Sequence, residues 1–160
     1  MGDGYGGIVK YFFITLKHKW FILLASFKTG LPIWRVIVHD LSKFTHAELS
    51  HYERQFFGDK ADPQGFAIAW LHHQNANPHH WEYWITRSDH SHGESGAEDG
   101  CLPMPAIYVR EMVTDWMGAS KAYTGSWEME SWLLQNLPRM NLHRITRRRV
   151  TDELKRIGYT

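Results

Sequence analysis

The run from Ile8 to Lys28, IVKYFFITLKHKWFILLASFK, keeps apolar side chains coming at helical spacing for about six turns. It ends before Thr29-Gly30-Leu31-Pro32, a glycine stop followed by a proline that can open the next helix. That next helix is predicted over residues 32–40. The same punctuation recurs down the chain. Thr45 and Glu48 make a T-x-x-E capping box for a helix reaching Phe57, before Gly58. Asp62-Pro63 opens another over GFAIAWLHH, and Asn77-Pro78 opens one into HHWEYW. After Pro105, Ile107, Val109, Met112, Val113, Trp116 and Ala119 mark a long helix. Ser126 is placed to cap a short helix over WEMESWLLQNL. Asn141 is placed to cap the last, LHRITRRRVTDELKRIG, with its stripe of Leu142, Ile145, Val150, Leu154 and Ile157. Alternating strand patterns of useful length are missing. The expectation is a single all-α domain over residues 1–160, with six to eight helices, a floppy end over 1–7 and a long loop over 87–104.

Charge narrows the partners. Eighteen basic and seventeen acidic residues nearly cancel, so there is no broad electrostatic case for nucleic acid or for an anionic membrane surface. The basic residues Lys17 and Lys19 interrupt the most apolar stretch, leaving neither half near the ~20 residues a membrane span needs. A signal peptide would carry its charges before the apolar run instead of inside it. The lone cysteine, Cys101, rules out an internal disulfide and a thiolate-rich zinc site, and fits a cytoplasmic protein.

Four of the eleven histidines fall in HHQNANPHHWEYW, at His72, His73, His79 and His80. His39-Asp40 closes a hydrophobic helix in VIVHDLSKF, where an imidazole can bind one metal while the carboxylate oxygens bridge two. His18 interrupts the first apolar helix, and Asp115 sits among Val113, Trp116 and Met117; each must find a partner or be exposed. Together these residues can surround one or two ions of Mn, Fe, Co or Zn, drawn from four or five helices. Neighbouring helical residues point about 100° apart, so spacing alone does not say which member of His72/His73 or of His79/His80 is the ligand. His46, His51, His90, His92 and His143 read as surface or loop residues. Lys43 is either a point charge beside a bound phosphate or a solvated lysine. Glu48 reads as the third residue of its capping box. Trp81, Tyr83 and Trp84 are a stacking wall or core. Gly118 and Ala119 permit close packing beside Asp115, and Arg147 to Arg149 read as a solvated basic face.

The order of His, His-Asp, further His and a late Asp resembles the HD-domain superfamily of metal-dependent phosphohydrolases. HDLSK is similar to the HDIGK element of HD-GYP cyclic dinucleotide phosphodiesterases, although the GYP triplet is missing and the histidine groups are closer in sequence. KHK, HDLSKF, AWLHH, NPHHWEYW and REMVTDW also resemble a small family of bacterial and phage proteins over residues 10–123. The resemblance implies an HD-like helical fold, with His18, His39, Asp40 and Asp115 as ligands and Asp40 bridging; His72, His73, His79 and His80 are candidates for the rest. It implies hydrolysis of a small phosphate ester, a nucleotide first, by a metal-bound hydroxide. The ions and Lys43 would offset charge on the phosphoryl oxygens, Asp40 would be indispensable, and a histidine not bound to metal, His73 or His80, would protonate the leaving oxygen. Two alternatives carry the same ligands: a di-iron oxygenase of the myo-inositol oxygenase kind, and a non-catalytic metal-binding module with saturated coordination.

Overall fold

The computed structural model describes residues 4–86 and 100–159. Among the described residues there are seven α-helices and no strand, in one compact all-α domain. They are α1 (Gly4–Thr29), α2 (Ile33–Val38), α3 (His46–Phe57), α4 (Pro63–Ala76), α5 (Ala106–Thr124), α6 (Glu130–Asn136) and α7 (Arg144–Arg156). Single 3-10 turns lie at Leu41–Phe44, Trp81–Trp84 and Leu137–Arg139. An isolated antiparallel bridge joins Ile85 to Cys101 across the loop, of which residues 87–99, with His90 and His92, lie outside the described residues. No helix among the described residues is long and apolar enough to cross a membrane.

α1 is the axis. It packs most extensively along α5, and also against α3 and α2. The α1–α5 approach depends on Gly118, where an added Cβ would sit 2.7 Å from Ile22 Cδ1 and 2.9 Å from Ile22 N. On the far side of α5, Val109, Met112, Val113 and Met117 join Val150 and Leu154 of α7 in the main core. Burying each such side chain is worth about 1.5–3 kcal/mol. Trp81 and Trp84 pack against this core, whereas Tyr83 is exposed. A smaller cluster of Tyr11, Tyr52 and Ala69 ties α1 to α3 and α4. Buried polar residues fill the space between the two.

Several local expectations change. α1 is already helical from Gly4, and α2 stops at Val38 instead of carrying His39 and Asp40. Thr45 and Glu48 form no capping box: the Thr45 hydroxyl donates back to Ser42 O (2.6 Å), and the Glu48 side chain turns inward. Asn77-Pro78 opens only a turn, because His80 is extended. The short helix starts at Glu130, not after Ser126, because the Glu128 carboxylate accepts from Glu130 N and Ser131 N. His143, expected at the surface, is buried and replaces Asn141 as the cap of α7, its Nδ1 accepting from Ile145 N (3.1 Å). Arg147 and Arg149 are not merely solvated; they donate to the carbonyls of Met140 and Met104 at 3.0 and 2.6 Å.

Helix propensity alone would make Gly118→Ala stabilising by about 1 kcal/mol. The contact with the Ile22 backbone reverses the sign, to a loss of about 1–3 kcal/mol from overpacking. Urea unfolding of the variant reads the sign directly, and a raised midpoint would show that α1 and α5 are free to part.

Candidate metal centre

The Lys17-His18-Lys19 interruption of α1 works as a clamp. Lys17 Nζ donates to Ala122 O near the end of α5 (3.0 Å), and Lys19 Nζ donates to the carbonyls of Val36, Ile37 and His39 at 3.2, 3.1 and 2.6 Å. The three carbonyls at the end of α2 would otherwise lack helical donors. With α1 tied on both sides, buried His18 faces Asp115 of α5 and the His39-Asp40 pair.

Neighbouring residues on a helix cannot both face one point, and the backbone resolves this for His39 and Asp40. His39 leaves the helix at ψ 127°, and Asp40 adopts φ 56°, ψ 26°, the left-handed region that aspartate tolerates better than most residues. Asp40 Oδ2 then lies 3.5 Å from His39 Nε2 and 3.8 Å from His18 Nε2. Asp115 Oδ1 lies 2.9 Å from His18 Nε2 and 3.5 Å from His39 Nε2. The other oxygen, Asp40 Oδ1, is 3.3 Å from His79 Nε2 and 3.5 Å from His73 Nε2. His80 Nε2 completes that side, 3.0 Å from His73 Nε2.

Two groups of ligating atoms thus share one carboxylate: His18, His39, Asp40 and Asp115 on one side, and Asp40, His73 and His80 on the other. His79 belongs with His80 and Asp115, and also with His39 and Glu111. Atoms bound at 2.0–2.2 Å to a common ion stand roughly 3–3.5 Å apart, and the pairs here lie between 2.9 and 3.8 Å. The buried His18 Nδ1 and Nε2, His39 Nε2, His79 Nε2 and Asp40 Oδ1 have no hydrogen-bond partner; His18 Nε2 and Asp115 are close but not aligned as donor and acceptor. Unpaired buried polar atoms cost about 1–3 kcal/mol each, and four of these, His18 Nε2, His39 Nε2, His79 Nε2 and Asp40 Oδ1, face one centre that could hold a cation.

His72 is a correction. It precedes His73 on α4, about 100° away around the helix, so only one can face inward; His73 is buried while the His72 side chain is 45% exposed and meets Glu48 Oε1 at 2.7 Å. His79 and His80 both reach the centre, because their stretch is not helical. Lys43 is not solvated: its ammonium lies 2.5 Å from Asp40 Oδ2 and its side chain is 14% exposed.

Two carboxylates the sequence reading left out hold the rings. Glu111 Oε1 lies 3.1 Å from His39 Nδ1 while Arg35 Nε donates to its Oε2 (2.6 Å). Glu48 Oε2 lies 2.9 Å from His73 Nδ1. A carboxylate on Nδ1 places the proton there and leaves Nε2 as the lone-pair donor, the usual arrangement behind a metal-bound imidazole. The helical spacing offered a clue: Glu111 precedes Asp115 by four residues, one turn earlier on the same face.

Residues 7–156 match the family of unknown function DUF5662. The chain belongs to that family. No curated protein and no solved structure matches it.

Electrostatics in this DUF5662 chain also favour a cation. Burial opposes ionisation of Asp40, Glu48, Glu111 and Asp115, yet neighbouring imidazoles and cations hold all four below their usual range. Lys43 and Arg35 pair directly with Asp40 and Glu111, leaving two carboxylates to balance. Burial works against charge on His39, but Asp40, Asp115 and Glu111 outweigh it and lift its pKa from 6.5 to about 10. A group raised in this way stabilises the metal-free fold fully below its unfolded value and loses that contribution as pH rises toward 10. A metal must displace the same proton. Between pH 6.5 and 8.5 the melting temperature of chelator-treated protein should therefore fall from this source, while the increase caused by added Mn²⁺ should grow. A metal-induced increase that is the same across this range would contradict His39 as a ligand.

Proposed function

We propose that this protein is a metal-dependent phosphohydrolase acting on a small phosphate ester, with a nucleotide the favoured class. The observation that carries the reading is the set of unpaired imidazole nitrogens of His18, His39 and His79 and the unpaired Asp40 oxygen, converging from α1, the residues just after α2 and the Asn77–His80 turn beside a cavity of ≈ 360 Å³. His18, Lys43, His73, His80 and Asp115 line that cavity together with Tyr11, Tyr52, Phe56, Trp70 and Tyr123. The order of ligands resembles that of HD-domain phosphohydrolases, and the two groups on Asp40 support one or two ions.

Divalent ions held there would supply Lewis acidity and lower the pKa of water toward neutrality. The residues supply the rest. Asp40 presents one oxygen to each ligand group. Lys43, whose proton is held by Asp40 against the effect of burial, offers a permanent positive charge to a phosphoryl oxygen entering beside it. Burial, with His79 and His73 nearby, keeps His80 well below its usual pKa, so it begins neutral. With a single ion held by His18, His39, Asp40 and Asp115, this neutral ring at the cavity wall is free to take a proton from the attacking water and return it to the leaving oxygen. Trp70 and Tyr123 give the remainder of the substrate flat apolar surface; the Tyr123 ring lies parallel to His18, 6.3 Å between centroids.

Asp40→Asn tests the reading with little risk to the fold, because asparagine also adopts the left-handed conformation. The variant should lose most of its bound metal and at least 100-fold in hydrolysis, as measured by element analysis and a panel of nucleotides and simple phosphate esters assayed without oxygen. Retention of both metal and full hydrolysis would sink the assignment. Iron-loaded wild type that consumes oxygen with substrate and hydrolyses nothing would replace it with an oxygenase.

A further inference from the structure

The cavity holds two polar atoms that the metal reading does not use. Tyr11 and Tyr52 are each 3% exposed and line it; neither phenol hydroxyl makes an aligned hydrogen bond, with the Thr15 hydroxyl a polar neighbour of Tyr11. They come from different helices, α1 and α3, with rings 5.8 Å apart between centroids. Lys43, Glu48 and Asp40 are the charged groups that act on both. Burial pushes the Tyr11 phenol up to about 12 and Tyr52 higher still, so both keep their protons. A buried hydroxyl costs free energy unless something accepts from it, and phenylalanine would fill either position without that cost.

We propose that Tyr11, Tyr52 and Lys43 form an oxyanion-binding corner that takes the terminal oxygens of a phosphate monoester, orienting it against Asp40. The inference rests on the metal-site reading and adds the substrate class. Two phenols and an ammonium are three donor groups, which match the three terminal oxygens of a monoester better than the two of a diester. The volume, ≈ 360 Å³, is at the low end of the ~300–1,000 Å³ of small-ligand sites, which suits one nucleoside-sized group and not two.

The test titrates inorganic phosphate into wild type, Tyr11→Phe and Tyr52→Phe by calorimetry, with and without Mn²⁺. Each variant should keep its manganese content and melt no lower than wild type, yet bind phosphate roughly 10-fold more weakly, as expected for loss of a hydrogen bond to a charged group. Equal phosphate affinity in all three proteins, or no binding to wild type in either condition, overturns the corner. Failure of wild type to bind manganese overturns the metal reading instead. Variants that melt lower with phosphate affinity unchanged would make the hydroxyls structural and also overturn the corner.

A second observation stands apart from the site. At 100° per residue, Val9, Phe13, Leu16, Trp20, Leu24 and Phe27 share a sector about 80° wide, opposite the buried row of Tyr11, His18, Ile22 and Ala25. They are 52, 64, 41, 56, 37 and 75% exposed. A helix apolar on both sides is normally covered on both. With ~150–250 Å² for each aromatic and less for each aliphatic residue, the stripe exposes roughly 600 Å². Two such stripes bury roughly 1,200 Å², the lower limit for a stable interface. The stripe is also nearly palindromic about position 18, as a two-fold antiparallel contact requires. We infer that α1 pairs with α1 of a second copy, setting Leu16 beside the partner's Trp20 and Val9 beside the partner's Phe27.

Sedimentation should show a dimer that Trp20→Glu converts to monomer with metal content unchanged. The double variant Leu16→Cys/Trp20→Cys should cross-link on oxidation, while Val9→Cys alone should not. A wild type that is monomeric at high concentration overturns the pairing, as does flotation of that monomer with anionic lipid vesicles, which would assign the stripe to a membrane surface.

Discussion

The carboxylate of Asp40 sets the conditions for the rest of the structure. It is 1% exposed, and a buried anion is tolerated only if it is paired and hydrogen-bonded. Lys43 meets one oxygen, while His39 and the more distant His18 face that same side; His73 and His79 face the other. Each partner is in turn buried and needs its own compensation, which Glu111, Arg35, Glu48 and Ser42 provide. The result is a polar centre inside an aromatic-rich helical domain, where low polarizability strengthens every charge interaction.

Such a centre demands that several helices be held in register, and the same residues hold fold and site together. Gly118 lets α5 approach α1 one turn after Asp115 on the same helix. Lys17 and Lys19 flank His18 and tie α1 to the ends of α5 and α2. Glu48 joins α3 to α4 through His73, and Asn77 reaches back to Ser42 Oγ at 2.8 Å, bringing the end of α4 to the Leu41–Phe44 turn. Removing one of these side chains therefore disturbs packing as well as the polar centre, which is why isosteric changes separate the two better than truncation to alanine.

The helical class and most helix starts were legible because apolar periodicity and Gly or Pro punctuation are local signals. Asp62 is a clear case: it caps α4 through Gly65 N (2.8 Å), as Asp62-Pro63 suggested. The convergence of His18, His39, Asp40 and Asp115 was legible because each is a polar residue in an apolar segment. Glu48 and Glu111 were not, since a glutamate in a helix has an ordinary explanation in capping or solvation, and only the tertiary partner reveals that it is buried. His143 escaped for the same reason. The orientation of Arg147 and Arg149 toward carbonyls likewise depends on neighbours far along the chain.

The histidine-rich stretch shows how backbone form decides which adjacent side chains can face one centre. His18, His73 and Asp115 stand in continuous helices, and each enters the centre alone; the 100° step back from His73 leaves the His72 ring half-exposed against Glu48 Oε1. The pairs His39-Asp40 and His79-His80 enter together, and both lie where helical geometry has been abandoned, one through a left-handed aspartate and the other through a turn into an extended histidine. Pro78 belongs to that logic. It stands just before His79, and α4 ends two residues earlier at Ala76, freeing both imidazoles to face Asp40 and His73. In a helical domain, neighbouring residues that face one buried centre thus mark the places where helices must stop.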